Sequence, residues 1–256
     1  MKTNKAINNS PLQKIGDNLS FGAREAYNLL RANISFMMPD KQGCKIIGTT
    51  SAAPQEGKSL TSINFAYSLA KSGKKVLLID CDLRRPSIAK SLDVPGAPGF
   101  SNALSGEELV VHKDMIIEGL DLITAGTIAP NPSELLCSKK MDEYLNEFSD
   151  SYDYIVLDFP PVNSVSDVLS LASKVDGYVL IVRHAHTRKR NLLEAIRQLE
   201  LAKANILGFI YNGYRSAGLG NYYGKNKYYY KSGYGYYSSK TVSETKNDDK
   251  KEENKE

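Results

Sequence analysis

The feature that most constrains this chain of 256 residues is a short loop between a predicted strand and a predicted helix. The loop ends in Gly57-Lys58-Ser59. Residues 44–50 before it form an apolar run that is typical of a buried strand, and residues 60–71 after it carry apolar side chains at helical spacing. A strand followed by a tight loop and a helix is the arrangement in which the amides of the loop and the helix N-terminus bind phosphate. We therefore predict a nucleotide phosphate site at this loop.

Each residue type within the loop has a predicted task. Lys58 is expected to reach the β and γ phosphates, and the hydroxyl of Ser59 is expected to bind Mg²⁺. The general pattern Gly-x-x-x-x-Gly-Lys-[Ser/Thr] has its first glycine at the position of Ala52, which is a departure. The predicted nucleotide-binding residues are Pro54, Gln55, Glu56, Gly57, Lys58, Ser59 and Leu60, with Asn212 as a candidate for the adenine edge.

Two later apolar runs, residues 75–80 and 154–158, end in carboxylates. Asp80 ends the first run and Asp82 follows it, while Asp158 ends the second. Parallel strands present their carboxyl ends at one edge of a sheet, so all three side chains are expected beside the phosphate loop. Asp158 is placed to support Mg²⁺, directly or through water. Asp80 and Asp82 point to the same side of an extended segment, so one could hold metal while the other accepts a hydroxyl proton.

The order of predicted elements indicates an α/β fold, because strands that alternate with helices imply parallel crossover connections. The predicted strands are residues 44–50, 75–80, 120–124, 154–158, 177–183 and 206–212. The predicted helices are residues 20–38, 60–71, 101–104, 107–111, about 130–148, 165–173 and 187–204. We predict a doubly wound, mainly parallel sheet of the P-loop NTPase class.

The composition changes abruptly after Gly213. Residues 214–256 have almost no aliphatic side chains and cannot bury enough apolar surface to become ordered. The predicted organisation is therefore a flexible arm (1–19), a P-loop domain (20–213) and a disordered tail (214–256). Half of the 16 tyrosines of the chain form a cluster in this tail, at Tyr222, Tyr223, Tyr228, Tyr229, Tyr230, Tyr234, Tyr236 and Tyr237.

Composition argues against several other classes of protein. The net charge of +4 is too small to indicate binding to nucleic acid. No apolar run approaches the ~20 residues that span a bilayer, and the polar N-terminus lacks a signal-peptide core, so we expect a cytoplasmic protein. The three cysteines and three histidines have neither disulfide nor metal-site spacing.

These segments together resemble the bacterial tyrosine kinases (BY-kinases), and more narrowly the separate cytoplasmic kinases of capsule or exopolysaccharide synthesis in Gram-positive bacteria. The resemblance covers roughly residues 20–237 and includes the phosphate loop, residues 76–86, 131–136 and 153–161, and the tyrosine cluster. It implies an ATP- and Mg²⁺-dependent protein-tyrosine kinase that autophosphorylates this cluster. It also implies Walker A roles for Lys58 and Ser59, a Walker A′ pair at Asp80 and Asp82, and a Walker B role for Asp158.

The same resemblance implies finer roles and partners. It suggests that Asp80 is the base on the acceptor side and that Asp82 holds metal together with Ser59 and Asp158. It implies activation by the cytoplasmic tail of a transmembrane adaptor of the polysaccharide co-polymerase type, which would recruit the chain to the inner face of the membrane. A cognate tyrosine phosphatase and assembly of the chain into a ring oligomer are implied as well.

Two positions depart from the family pattern. The family loop usually reads Pro-Gly-Glu-Gly-Lys-Ser, and Gln55 replaces its first glycine. Gln fits there only if φ is negative or some strain is accepted. The ring-building motif Glu-x-x-Arg-x-x-Arg corresponds to Glu25, Asn28 and Arg31, so its middle arginine is missing. Glu25 and Arg31 are the predicted oligomer-interface residues.

The position of the tyrosine cluster favours transfer between subunits. Tyr222 lies nine residues and Tyr237 lies 24 residues past Gly213. As a flexible coil these segments span roughly 17 to 27 Å, which is enough to reach the site of a neighbouring subunit. Each phosphate adds about −1.5 to −2 charges, so successive phosphorylation is expected to loosen the assembly.

Two other functions stay open at this point. The first is a partition or positioning ATPase of the same P-loop class, which acts as a nucleotide-driven dimer switch. That class carries a signature lysine five residues before the catalytic lysine, where this chain has Ala53. The second is a non-catalytic scaffold whose tyrosine-rich tail contacts polysaccharide-export proteins. ATP turnover without tyrosine phosphorylation would favour the switch, and the absence of both activities would favour the scaffold.

Overall fold

A computed structural model of the chain describes residues 14–39 and 41–214. Its six strands are β1 Lys45–Ser51, β2 Val76–Asp80, β3 Leu120–Ile123, β4 Tyr154–Asp158, β5 Gly177–Arg183 and β6 Ile206–Asn212. They form one sheet in the order β3-β2-β4-β1-β5-β6, and every neighbouring pair is parallel. The predicted doubly wound parallel sheet is therefore confirmed.

The strands read as continuous apolar runs because both faces of the sheet are covered. In β2, Leu77 and Ile79 pack into one core cluster, while Val76 and Leu78 pack into the other. All four side chains are buried. The helices are α1 Phe21–Met37, α2 Lys58–Ala70, α3 Ile88–Leu92, α4 Phe100–Leu104, α5 Pro132–Leu136, α6 Lys139–Ser151, α7 Asp167–Ser170 and α8 Lys189–Leu201. Apolar side chains of α1 to α3 enter one cluster, and those of α4 to α8 enter the other.

Two helix predictions differ from the structure, and one short helix was not predicted. The helix predicted over residues 130–148 is two helices, because Ser138 is extended (φ −68°, ψ 155°) and its hydroxyl accepts the N–H of Met141, which caps a new helix start. The helix predicted over residues 107–111 is wrong, since this segment leads into His112, which pairs antiparallel with Leu122 at the edge of the sheet. Helix α3 was not predicted.

The predicted arm over residues 1–19 is wrong for residues 14–19. Ile15 is buried in the core, and the N–H of Gly16 donates to Asn64 Oδ1 at 2.9 Å. Asn64 Nδ2 in turn donates to the carbonyl of Lys14 at 3.0 Å, so this segment is fixed to α2. Residues 1–13 and the predicted tyrosine cluster lie outside the described residues. In the described part of the chain, no helix has the length and apolarity that crossing a membrane requires.

Candidate active site

The phosphate loop connects β1 to α2, and its backbone conformation depends on two residues with positive φ. Gly57 has φ 84° and precedes the first residue of α2. The positive φ favours glycine here, and a Cβ at this position would lie 2.2 Å from Asn212 Nδ2, so it would also displace the side chain of Asn212. Gln55 also has a positive φ, at 64°. Of the two alternatives for Gln55, a negative φ or a strained backbone, the strained backbone therefore occurs.

The loop forms one wall of a cavity of about 780 Å³, which is within the usual range for small-molecule sites. Every predicted loop residue from Pro54 to Leu60 lines this cavity. Residues that follow β2 also line it, namely Asp82, Arg84, Arg85, Ser87 and Ser91. The segment after β4 supplies Pro160, Pro161, Ser164 and Val165. The carboxyl ends of three parallel strands thus meet around one space.

Lys58 contacts two carboxylates at this cavity, one at the end of β4 and one just after β2. Its Nζ lies 2.8 Å from Asp158 Oδ2 and 3.8 Å from Asp82 Oδ2, and the three side chains are 8%, 0% and 10% exposed. Burial acts to lower the pKa of Lys58, but the charges of Asp158 and Asp82 outweigh it and raise the pKa. Lys58 is therefore a cation held among acceptors, which suits it to bind phosphate oxygens.

The carboxylate of Asp158 accepts hydrogen bonds from two hydroxyl groups, neither of which was predicted as part of the site. Ser62 Oγ lies 2.7 Å and Thr49 Oγ1 lies 3.3 Å from Asp158 Oδ1. Ser62 follows Lys58 by four residues in α2, so both side chains lie on one face of the helix. This i, i+4 spacing was the available signal for Ser62.

Asp80 and Asp82 have different surroundings. Asp80 is completely buried, and its oxygens accept the backbone N–H groups of Asp82, Ser87 and Ile88 at 3.1, 3.3 and 3.2 Å. Burial, followed by the charge of Asp158, raises the pKa of Asp80 to about 7. Asp82 lines the cavity, and burial raises its pKa as well. The position of Asp80 therefore does not support the predicted acceptor-side role, whereas Asp82 faces the cavity.

The predicted metal ligands are oxygen donors of the kind that Mg²⁺ prefers. Ser59 Oγ lies on the cavity wall, 3.3 Å from Lys58 Nζ, and Asp82 and Asp158 flank the same ammonium group. The donor set fits Mg²⁺ if phosphate and water supply the remaining ligands. In the described ranges, no group of three His, Cys, Asp or Glu side chains is arranged to hold a metal ion.

A further pair at the cavity rim was not predicted. The buried carboxylate of Asp167 accepts Arg84 Nε at 2.9 Å and Arg84 Nη2 at 3.1 Å. Ser133 Oγ donates to the same carboxylate at 2.5 Å. These contacts tie the segment after β2 to α5 and α7. The partners are 83 and 34 residues apart, so local spacing gave no signal for them.

The predicted oligomer-interface residues both have partners within the chain. Glu25 is exposed on α1, and its Oε1 accepts Asn28 Nδ2 at 3.0 Å. Arg31 Nη1 donates to the carbonyl of Ser68 in α2 at 2.8 Å. Asn28, which stands where the family motif has arginine, therefore contacts the glutamate of the same motif.

Comparison with known proteins identifies the family. A family model described as an AAA domain, AAA_31, matches residues 45–206. The tyrosine-protein kinase YwqD of Bacillus subtilis (strain 168) is 38% identical over 220 residues, which are 84% of this chain and 86% of that protein. The tyrosine-protein kinase CpsD of Streptococcus pneumoniae serotype 4 is 36% identical over 195 residues, which are 74% of this chain and 84% of that protein.

Solved structures agree with these relatives. The kinase domain of Escherichia coli tyrosine kinase ETK matches with a TM-score of 0.73 at 35% identity, and the match covers 79% of each chain. The full-length Escherichia coli tyrosine-protein kinase etk is longer, and the match covers 27% of it. The sequence identity, its coverage and the shared fold show that this chain belongs to the bacterial tyrosine-protein kinase family.

Proposed function

We propose that this kinase uses Mg²⁺ and ATP to phosphorylate the tyrosine cluster of its own C-terminal tail. The observation that carries the proposal is the position of Lys58, whose ammonium lies 2.8 Å from Asp158 and 3.8 Å from Asp82 beside the cavity that the phosphate loop lines. Phosphoryl transfer requires positioned phosphates, a metal ion and a nearby acceptor. The loop can bind the phosphates, the carboxylates can serve the metal ion, and the cavity has room for the acceptor.

The proposed roles follow from the geometry. With nucleotide bound, the ammonium of Lys58 would exchange its carboxylate partners for the β and γ phosphates, and Asp158 and Ser59 would then hold Mg²⁺. Mg²⁺, when bound, neutralises the charge of the phosphates. Of the two carboxylates at the end of β2, Asp82 faces the cavity, so we assign the tyrosine hydroxyl to Asp82 in place of its predicted metal role. Asp80 accepts the N–H of Asp82 and positions it.

We propose that the domain extends from residue 14 or earlier to residue 213, and that residues 214–256 are a tail that delivers tyrosines to a neighbouring subunit. A mixture of full-length Lys58→Met chains with active chains that lack the tail tests this step. Phosphotyrosine on the Lys58→Met chain is expected if transfer occurs in trans. Its absence, while the active full-length chain modifies itself, would refute transfer between subunits.

We further propose that the kinase regulates synthesis and export of capsular or extracellular polysaccharide. In this proposal a transmembrane adaptor recruits it to the inner face of the membrane, a cognate phosphatase reverses the reaction, and copies assemble into a ring. The resemblance of the motifs supports these partners. For the ring, Glu25→Arg reverses the charge of an exposed residue on α1 and is expected to lower the mass measured by sedimentation. An unchanged mass would exclude this contact.

The catalytic proposal is tested by incubating the purified chain with Mg²⁺ and ATP and detecting phosphotyrosine. Lys58→Met is expected to abolish the signal. Lys139→Met is the matched control, because the Lys139 side chain is 90% exposed on α6 and its ammonium lies 3.9 Å from Glu143 of its own helix. Equal signals from Lys58→Met and the wild type would overturn the proposal.

A further inference from the structure

Three consecutive carbonyl groups of the phosphate loop are held by side chains from a distant part of the chain. Arg183 Nη1 donates to the carbonyl oxygen of Gln55 at 2.5 Å, and Asn212 Nδ2 donates to that of Glu56 at 2.9 Å. His186 Nε2 lies 3.1 Å from the carbonyl oxygen of Pro54, and since that oxygen can only accept, Nε2 carries the proton in this contact. We call Arg183, His186 and Asn212 the carbonyl clamp.

The carbonyl clamp sets the orientation of the N–H groups of the loop. In a trans peptide the C=O of one residue and the N–H of the next point in opposite directions. Holding the carbonyls of residues 54 to 56 on one side therefore directs the N–H groups of Gln55, Glu56 and Gly57 to the other side. Within residues 14–39 and 41–214, these three N–H groups have no protein acceptor. The loop lines the cavity, where phosphate oxygens would accept them.

The conformation that the carbonyl clamp holds is one that Gln55 does not favour. Its φ of 64° lies in the left-handed region, where a Cβ crowds the backbone and glycine is preferred. Without an external hold, a glutamine at this position populates other backbone conformations and carries its neighbouring amides with it. Arg183 contacts the carbonyl of Gln55 itself, so it opposes this relaxation directly.

A second set of contacts, centred on Glu56, also joins the loop to the segment after β5. The completely buried carboxylate of Glu56 accepts the N–H of Ala52 at 2.9 Å and the N–H of Ala53 at 3.2 Å through Oε2. Its Oε1 accepts Thr187 Oγ1 at 2.5 Å. Thr187 follows His186, so the segment between β5 and α8 contacts both the backbone and the buried side chain of the loop.

We propose that the carbonyl clamp positions the phosphate loop for nucleotide and that Arg183 in particular compensates for glutamine at position 55. Arg183, His186 and Asn212 are thus positioning residues, which act on phosphate through the amides of the loop. This inference rests on the proposed function to the extent that the loop binds nucleotide phosphate. It gives Asn212 a contact with the loop backbone, and the contact of Asn212 with the adenine edge stays a prediction.

The test compares ADP affinity by calorimetry in a double-mutant cycle of Arg183→Ala and Gln55→Gly. Arg183→Ala is expected to weaken ADP binding about tenfold, equal to about 1.4 kcal/mol. In the Gln55→Gly background the same change is expected to cost about threefold or less, because glycine adopts positive φ freely. Arg183→Lys keeps a donor and is expected to recover most of the affinity. Arg190→Ala, an exposed arginine of α8, is the matched control and is expected to bind ADP as the wild type does.

The possible outcomes separate this inference from the proposed function. If the wild type does not bind ADP, the proposed function fails and the inference fails with it. If the wild type binds and Arg183→Ala binds equally well, the positioning role is overturned while the proposed function stands. An equal loss in both backgrounds would overturn the compensation for Gln55. Because Arg183 is exposed, the melting temperature of Arg183→Ala without nucleotide is expected to equal that of the wild type. A large decrease would instead assign Arg183 a structural role.

Discussion

Replacing Lys58 with methionine is expected to destabilise the fold in addition to abolishing catalysis. The ammonium of Lys58 lies among the carboxylates of Asp158 and Asp82, and all three side chains are at least 90% buried. Removing one partner of such a buried pair costs about 3–5 kcal/mol, because a desolvated charge is left without compensation. A typical domain is stable by about 5–15 kcal/mol, so this loss is a large share of the total.

The measurement is urea unfolding near neutral pH for the wild type, Lys58→Met and Lys58→Met with Asp158→Asn. The double variant removes a carboxylate as well as the cation, so it is expected to regain about 2 kcal/mol or more relative to the single variant. Burial raises the pKa of Asp80 and of Asp82 while the charge of Lys58 lowers both, so in Lys58→Met these two carboxyl groups bind protons more tightly in the folded state than in the unfolded state. Its stability is therefore expected to rise as the pH falls towards about 4. A loss below about 1 kcal/mol, or additive losses in the double variant, would refute this reasoning.

Three further substitutions test the packing and the site. Gly48→Ala places a Cβ 2.6 Å from the buried ring of Tyr178, so a loss of about 1–3 kcal/mol is expected in urea, and an unchanged midpoint would contradict it. Arg84→Ala leaves the buried carboxylate of Asp167 without its cation and is expected to cost about 1–3 kcal/mol in the same titration. Asp82→Asn is expected to slow tyrosine phosphorylation by about 100-fold or more, measured as an initial rate with ATP in excess. A rate within about tenfold of the wild type would remove Asp82 from the acceptor role.

The sequence was sufficient for the parts of the fold that depend on local patterns. The apolar runs that end in Asp80 and Asp158 predicted two central strands, and parallel order places their ends at one edge beside Lys58. The contact between the Lys58 ammonium and the Asp158 carboxylate was predictable for this reason. The break at Ser138 also had a local signal, because serine before Lys139 is a favourable helix N-cap.

The remaining features depend on contacts between segments far apart in the chain. The hydrogen bond from Arg183 to Gln55 joins residues 128 positions apart, and no spacing rule connects them. The conformation of Gln55 itself could not be chosen from the sequence, because a positive φ at glutamine depends on the structure that surrounds it. Residues 107–111 were predicted as a helix, but the tertiary pairing of His112 with Leu122 determines the path of the chain there.

The central claim is that the site around Lys58 transfers phosphate to the tyrosine cluster of the tail. The most direct measurement is mass spectrometry of tail peptides after the full-length chain is incubated with Mg²⁺ and ATP, with and without the cytoplasmic segment of its adaptor. Phosphate is expected on tyrosines between positions 222 and 237, and it is expected to be absent from Lys58→Met chains that circular dichroism shows to be folded. An unmodified tail under both conditions, in a preparation that binds ADP, would contradict the claim.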